Sequence, residues 1–341
     1  MAQPLVLSAK TEEEESAAYQ LISQNALSLP EGVVLEGMYL DHKGGAAQPE
    51  VTHTGGIALQ SFNPEGYLRH LKAPTFGRVI LTAHRLPSTH SLLSQNFQSV
   101  PEGTVCVADI QTQGKGRAGN SWESPPGCLM FSFTLLHGDG RTLPHLQYIA
   151  SLAVAQGVQR LADAHYQAVD LGVRIKWPND LYARKQKIGG VLCTSSSMGT
   201  TFKVTVGIGL NVFNREPTTC LQAILDDLRP GAAPLVKEEL LAAVMNRFEE
   251  LHTTFMYAGF RGVEYNYLNL WLHSGQKVVI KEGGENGEPA TETPVTIKGL
   301  SYNGFLLASD EKGEQYELSP DGNSLDFFNG LIKRKILSAA G

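Results

Sequence analysis

The stretch Gln113-Gly114-Lys115-Gly116-Arg117-Ala118-Gly119-Asn120-Ser121-Trp122 places three glycines and two cations directly before an indole. Glycines at this spacing let the backbone turn its N–H groups inward, and Lys115 and Arg117 supply the positive charge that a phosphate or carboxylate requires. Trp122 adds a flat apolar face beside them. This composition is typical of a loop that wraps an anion, although a flexible basic surface loop would have it too.

A second segment combines two lysines, an amide and a carboxylate around a short turn. It reads Lys176-Trp177-Pro178-Asn179-Asp180-Leu181-Tyr182 and is followed by Lys187-Ile188-Gly189-Gly190-Val191-Leu192. Pro178 fixes its own φ and favours an extended Trp177, so residues 174–177 are predicted to form a strand that ends at the turn. The glycine pair would let a ligand or a neighbouring backbone approach closely. A plain β-hairpin whose lysines point to water is the alternative.

Together these motifs resemble those of the biotin protein ligases. The resemblance rests on the loop 114–120, Trp122, the turn 176–180, the segment 187–190 and the motif 207–211, which follow one another in the family's order and spacing. It covers roughly residues 76 to 335. Lys115 and Asn120 stand where many bacterial members have arginine, and Ser124-Pro125 and Gly127-Cys128 follow. In these features the chain resembles the eukaryotic holocarboxylase synthetase type.

Length and composition exclude several other classes of protein. The chain of 341 residues can form about two domains that each bury a core. Its formal net charge of -6 argues against a nucleic-acid-binding surface, which needs a basic excess. The four cysteines contain no Cys-x-x-Cys pair, so neither a zinc site nor a disulfide framework is predicted.

The sequence predicts no targeting segment. No apolar run reaches the roughly 18 residues that span a bilayer, so no membrane contact is expected. The acidic residues 12–15 near the N-terminus are atypical of a mitochondrial transit peptide. We therefore expect a cytoplasmic protein.

Composition divides the chain into three regions. Residues 1–75 form an N-terminal extension of uncertain fold, with a predicted helix at 13–28 and no evident helix-turn-helix. Residues 76–272 alternate strands with amphipathic helices, which predicts an α+β domain with a mixed β-sheet and flanking helices. Residues 273–341 carry short strands of period two, which predicts a small β-barrel. The resemblance implies a catalytic domain like that of class II aminoacyl-tRNA synthetases, an SH3-like C-terminal domain, and a mobile loop at 283–289.

Individual elements follow from local patterns. Strands are predicted at 78–82, 105–109, 129–135 and 202–212, and again at 277–281, 294–299, 305–307 and 315–318. Helices are predicted from the N-cap at Ser88 and Thr89 to about 98, at 146–165, and at 237–257.

The resemblance also implies a reaction. Such an enzyme activates biotin with ATP to biotinyl-5'-AMP, releases pyrophosphate, and transfers biotin to one lysine of the biotin carboxyl carrier domain of a biotin-dependent carboxylase. ATP, biotin and Mg²⁺ are the implied ligands, and a monomer or weak dimer is expected. A lipoate or octanoate ligase or transferase on the same fold is the alternative. A non-catalytic nucleotide or biotin sensor is disfavoured by the acidic charge and the missing DNA-binding motif.

The same resemblance assigns roles to residues at matching positions. Lys115, Arg117 and Lys187 are the catalytic candidates. The predicted biotin-binding residues are Ser88, Thr89, His90, Gln111, Lys115, Gly116, Arg117 and Lys187. The predicted ATP-binding and adenylate-binding residues are Gly114, Arg117, Asn120, Trp122, Asn179, Lys187 and Asn211. Asp180 is either a Mg²⁺ ligand or the cap of its turn.

Overall fold

The computed structural model describes residues 3–36, 51–54, 57–282, 291–320, 323–326 and 330–334. The helices are α1 (Glu12–Asn25), α2 (Pro64–His70), α3 (Thr89–Gln95), α4 (Leu143–His165), α5 (Leu221–Leu228), α6 (Lys237–Ala258) and α7 (Arg261–Leu270). The first eleven strands are β1 (Gln3–Ala9), β2 (Val33–Glu36), β3 (Val51–Thr54), β4 (Ile57–Gln60), β5 (Val79–Leu86), β6 (Val105–Gln111), β7 (Cys128–His137), β8 (Arg174–Lys176), β9 (Asp180–Ala183), β10 (Gln186–Met198) and β11 (Thr201–Asn211). The remaining strands are β12 (Lys277–Glu282), β13 (Thr291–Leu300), β14 (Leu306–Ser309), β15 (Gln315–Leu318), β16 (Asn323–Asp326) and β17 (Leu331–Arg334).

A central sheet of nine strands has the order β2-β1-β5-β6-β7-β11-β10-β9-β8. It is mixed, because β1 is parallel to β2 and β5 to β6 while the other neighbours are antiparallel. Alternate side chains face opposite sides of a strand. Ile80 and Val105 pack into one core with α4 and α6, whereas Leu81 and Cys106 pack into a second core with α1 and α3. The predicted mixed sheet with flanking helices is confirmed.

Strands of the predicted N-terminal extension join this same sheet. β1 pairs with β2 on one edge and with β5 on the other, so residues 3–36 are continuous with the strands of the predicted catalytic domain. Helix α1 begins after Thr11, whose hydroxyl accepts a hydrogen bond from the Glu14 N–H at 3.2 Å. It ends at Asn25, before the predicted end at residue 28, because Ala26 adopts a left-handed φ of 45°. No helix-turn-helix occurs within residues 3–36.

The C-terminal strands form a second, six-stranded sheet of order β15-β14-β13-β12-β17-β16. The predicted strands at 277–281, 294–299, 305–307 and 315–318 correspond to β12 to β15. A separate small sheet domain was expected here, and its closure into an SH3-like barrel stays a prediction. The predicted loop 283–289 lies outside the described residues.

One predicted helix is shorter than expected. The helix that starts after Ser88 ends at Gln95, and a short 3₁₀ turn at Phe97–Ser99 occupies the rest of the predicted span. Asn96 caps the end of the helix, since its backbone N–H and its side-chain amide both donate to the Leu92 carbonyl, at 3.1 Å and 2.8 Å. Among the residues that the structure describes, no helix is long and apolar enough to cross a membrane.

Buried histidines predict a loss of stability in acid. Burial lowers the pKa of His90, His145, His252 and His273 from 6.5 to about 4. An unfolded chain would bind protons at these histidines below pH 6.5, while the folded chain does so only near pH 4. Each pKa shift lowers the free energy of unfolding by up to about 3 kcal/mol once the pH is below both the folded and the unfolded pKa.

We therefore expect the free energy of unfolding, measured by denaturant titration, to fall by several kcal/mol as the pH drops from 6.5 to 4. The variant His145→Phe should make this fall smaller, because it removes one of the titrating imidazoles. Phenylalanine should fit at this position, since the imidazole of His145 already stacks on the Phe260 ring at 4.5 Å between ring centroids. A stability that is constant over this range would contradict the expected pH dependence.

Candidate active site

A cavity of about 530 Å³ opens on the face of the central sheet that α3 covers. Its walls come from the start of α3, the end of β6, the loop 115–122, the turn 176–180, and strands β10 and β11. Every predicted site residue except Gly114 and Asn211 lines it. The structure thus brings together motifs that lie far apart in the sequence, and the cavity is large enough for a small organic ligand.

One end of the cavity carries a neutral hydrogen-bond network. The Gln111 side-chain oxygen accepts hydrogen bonds from the Thr89 backbone N–H at 2.8 Å and from the Thr89 hydroxyl at 3.1 Å. The Thr89 and Ser132 hydroxyls are 2.9 Å apart. These groups leave oriented donors and acceptors at the cavity wall without a formal charge.

His90 belongs to the same end. Its Nε2 lies 3.1 Å from the Thr194 hydroxyl, and its Nδ1 lies 3.4 Å from the Ser94 hydroxyl. Burial first, and then the charge of Lys115, lower the pKa of His90 to about 4. The ring is therefore neutral at pH 7 and acts as a polar, uncharged part of the wall.

Positive charge is concentrated at the other end. The Lys187 ammonium lies 2.6 Å from one oxygen of Asp180, and the Lys176 ammonium lies 3.7 Å from the other oxygen. Lys187 also lies 5.7 Å from the centre of the Trp122 ring. Asp180 thus holds two ammonium groups side by side at the cavity wall.

Arg117 connects three parts of the molecule. One guanidinium nitrogen donates to the Asn179 side-chain oxygen at 3.2 Å, and the other donates to the Pro320 carbonyl at 3.2 Å. Asn179 is itself held by a 2.9 Å hydrogen bond from its amide to the Val191 carbonyl. The glycine-rich loop, the turn after β8 and the C-terminal domain therefore meet at this guanidinium.

The loop itself is folded back by backbone hydrogen bonds. The Gly116 N–H donates to the Asn120 carbonyl at 2.7 Å, and the Trp122 N–H donates to the Gly114 carbonyl at 3.0 Å. A Cβ at Gly114 would lie 2.4 Å from the Trp122 carbonyl oxygen, which excludes any residue with a side chain there. Gly114 is therefore required by the fold of the loop, and it lies outside the cavity lining.

Asn211 is the other predicted residue that does not line the cavity. It is 6% exposed, and its amide nitrogen donates to the Thr218 hydroxyl at 3.2 Å and to the Thr219 carbonyl at 3.1 Å. The Cys128 thiol lies 3.5 Å from its oxygen. The amide is therefore occupied in fixing the chain after β11, and its position does not support the predicted contact with an adenylate.

Several lining residues were not predicted from the sequence. Ser132 and Gly207 face the neutral end, Gly209 and Lys176 face the charged end, and Pro320 comes from the C-terminal domain. Strand alternation on β7 and β11 could have identified Ser132, Gly207 and Gly209, because β7 and β11 pair with Ser132 opposite Gly207. No local pattern marks Pro320, since only the docking of the C-terminal domain brings it to Arg117.

Asp180 is the single carboxylate that the described residues contribute to the cavity lining, and it does not fit a preformed Mg²⁺ site. Both of its oxygens face lysine ammonium groups, which would repel a divalent cation. No group of three or more His, Cys, Asp or Glu side chains suited to a metal is found among the described residues. The ion pairs with the two lysines give Asp180 a role that the sequence did not predict.

Comparison with known proteins identifies the family. The model of the biotin/lipoate A/B protein ligase family matches residues 82–211. Biotin--protein ligase 2 of Arabidopsis thaliana is 43% identical over 332 residues, which are 97% of this chain and 98% of the relative. This chain belongs to the biotin protein ligase family. The human biotin--protein ligase is 37% identical to it over 298 residues, 84% of this chain and 40% of the human protein.

The fold of this biotin protein ligase also has solved counterparts. The biotin protein ligase from Aquifex aeolicus, solved in complex with biotin and ATP, is 27% identical and matches with a TM-score of 0.56. The match covers 75% of this chain and 99% of that chain. The resemblance to biotin protein ligases, read from the loop and turn motifs, is therefore confirmed, while the roles of single residues stay predictions.

Proposed function

We propose that this chain is an ATP-dependent biotin protein ligase. In the first step a biotin carboxylate oxygen attacks the α-phosphorus of ATP, the bond to the β-phosphate oxygen breaks, and pyrophosphate leaves. In the second step a lysine amine of a carrier domain attacks the acyl carbon, the bond to the phosphate oxygen breaks, and AMP leaves. The lysine loses its proton to solvent as the amide forms.

One observation carries this proposal: a single cavity joins a neutral hydrogen-bond network to a cluster of cations. Biotin has the same division, with a neutral ureido ring at one end and a carboxylate at the other. Gly207 and Gly209 lie two residues apart on β11 and mark the two ends, because Gly207 faces His90 and Gly209 faces Trp122. Two residues along a strand span roughly 7 Å, which suits a ligand that extends from one end to the other.

The neutral end suits the ureido group of biotin. Gln111, Thr89 and Ser132 offer donors and acceptors that would replace the water lost from the ring, and a buried polar group left unpaired costs about 1–3 kcal/mol. A site that pairs with a ureido group rejects an acyl chain lacking one, since its own polar groups would remain unpaired. This network favours biotin over lipoate or octanoate.

The charged end suits the joining of two anions. A carboxylate and a triphosphate repel each other, so their approach requires fixed cations and oriented N–H donors. Lys187 and Arg117 are held in place by Asp180 and Asn179, and Lys115 lines the same cavity. We assign to these three cations the stabilisation of the negative charge that develops at the α-phosphate.

Nucleotide phosphates are the natural ligands of Mg²⁺ in such a reaction, because this ion usually binds through phosphates and one or two carboxylates. We propose MgATP as the substrate, with Asp180 engaged by Lys187 and Lys176. The carrier domain of a biotin-dependent carboxylase is the proposed acceptor. A cytoplasmic location and a monomer or weak dimer remain proposals from composition and resemblance.

The test is the intact mass of a biotin carboxyl carrier domain after incubation with this protein, biotin and MgATP. We expect the mass of the domain to increase by one biotinyl group. Lipoate in place of biotin should leave the mass unchanged, and a modified domain with lipoate alone would favour the lipoate alternative.

A further inference from the structure

The Trp122 indole lies flat against the backbone of Gly209. A Cβ at Gly209 would lie 2.5 Å from Cε2, 2.7 Å from Nε1 and 2.9 Å from Cζ2 of this ring. Such distances are shorter than van der Waals contact, so any side chain at this position would displace the indole. Position 209 on β11 therefore has to be glycine if the ring is to occupy this place.

A second glycine completes the surface under the ring. Gly190 on β10 pairs directly with Gly209 on β11, and a Cβ at Gly190 would lie 3.6 Å from Cζ3 of the same indole. The ring is therefore supported by two adjacent strands of the central sheet. Beside it, the Lys187 ammonium lies 5.7 Å from the ring centre, so the glycine pair fixes the indole next to the charged end of the cavity.

The indole N–H of Trp122 is enclosed on the side of the ring that packs against Gly209. It is buried and has no hydrogen-bond partner among the described residues. The other two tryptophans satisfy theirs, since the Trp177 indole donates to the Tyr148 hydroxyl at 3.0 Å and the Trp271 indole donates to the Ser274 hydroxyl at 2.5 Å. Buried donors are normally paired, so this unpaired N–H is a cost of packing the ring against Gly209 and not a group exposed to the cavity.

We propose that Gly209 is a positioning residue that acts through Trp122. Its missing side chain lets the indole close against the sheet, where the outer face of the ring lines the cavity beside Lys187 and is presented to the nucleotide part of the substrate. The inference rests on the proposed function, because it assumes that the charged end receives ATP. Gly209 itself need not touch the substrate.

A double-mutant cycle separates this role from direct contact with the substrate. We expect Gly209→Ala to raise the KM for ATP by about 10- to 100-fold in biotin-dependent pyrophosphate release, with a smaller change in kcat. Trp122→Ala should raise the KM similarly. Gly209→Ala should then add less than about a factor of 2 in the Trp122→Ala background, because the residue through which it acts is already gone.

Gly138→Ala is the matched control, since Gly138 is exposed and a Cβ there meets nothing within 4 Å. Tryptophan fluorescence provides a readout that does not depend on turnover. The other two tryptophans, Trp177 and Trp271, are only 1% and 5% exposed, so a change in emission is assigned to Trp122. Gly209→Ala should change the emission of the wild-type chain and leave the emission of the Trp122→Ala variant unchanged.

Equal effects of Gly209→Ala with and without Trp122 would overturn the inference, and so would an unchanged KM for ATP. Neither result would affect the proposed function as long as the wild-type chain forms the adenylate. Conversely, a wild-type chain without biotin-dependent pyrophosphate release would refute the proposed function, and the fluorescence comparison would still test the contact between Gly209 and Trp122.

Discussion

Replacing Lys187 with alanine is expected to lower the rate of biotinyl-adenylate formation by about 10²- to 10³-fold, the usual cost of losing one group that stabilises charge in the transition state. Its ammonium group projects from the first residues of β10 and is held at 2.6 Å from Asp180. It also lies beside the Trp122 ring. Both contacts restrict the ammonium before any substrate binds, so little further conformational entropy is lost when the substrate binds.

The rate of biotin-dependent pyrophosphate release measures this effect. Lys298→Ala is the matched control, because Lys298 is an exposed lysine on β13 outside the cavity lining. Both variants should keep the wild-type unfolding midpoint, since the Lys187 side chain is 38% exposed and contributes little to the core. Adenylate formation at the wild-type rate in Lys187→Ala would contradict the role assigned to this lysine.

Arg117→Ala should reduce adenylate formation by about 10²-fold or more, because it removes one of the cations that offset the charge of the two anions. It also removes the hydrogen bonds to the Asn179 side chain and to the Pro320 carbonyl, so the loop loses this contact with the C-terminal domain. We therefore expect a higher KM for ATP together with the lower kcat.

Arg117→Lys separates the charge from the geometry. Lysine keeps the positive charge but cannot donate in two fixed directions, as the guanidinium does towards Asn179 and Pro320. We expect this variant to recover only part of the lost rate. Arg261→Ala, at the exposed start of α7, is the control. If Arg117→Lys had full activity, the double contact would be irrelevant to catalysis.

The sequence predicted those parts of the site that depend on local chemistry. The loop 113–122 contains glycines and cations, and its neighbour Gln111 is polar at the end of a strand, so composition alone marked this region. Strands rich in β-branched and aromatic residues, such as β7 and β11, were also predictable because their pattern is local. Ser132 of β7 and Gly207 and Gly209 of β11 line the cavity.

Other features depend on long-range pairing, which a local pattern does not contain. The pairing of β1 with β5 joins residues that lie at least 70 positions apart, and the periodicity of either segment does not reveal its partner. Pro320 reaches Arg117 only because the C-terminal domain docks on the predicted catalytic domain. This docking includes the 2.6 Å hydrogen bond from the Tyr148 hydroxyl to the Gly304 carbonyl.

The hydrogen-bond and ion-pair partners of individual polar side chains could not be predicted from the sequence either. Asn211 matches a family motif, yet its amide is taken up by the Thr218 and Thr219 segment. Asp180 could have been a turn cap or a metal ligand, and the structure instead pairs it with two lysines. In both cases the competing partners come from parts of the chain whose proximity is set by the tertiary fold.

Transfer of biotin to a carrier domain is the central claim, and a competition experiment tests it most directly. A biotin carboxyl carrier domain is incubated with this protein, MgATP, and equal concentrations of biotin and lipoate, and its intact mass and modified residue are determined. We expect one biotinyl group on one lysine, no lipoyl group, and no change when ATP is omitted. A lipoyl group on the domain, or no modification while the protein remains folded, would contradict the proposed function.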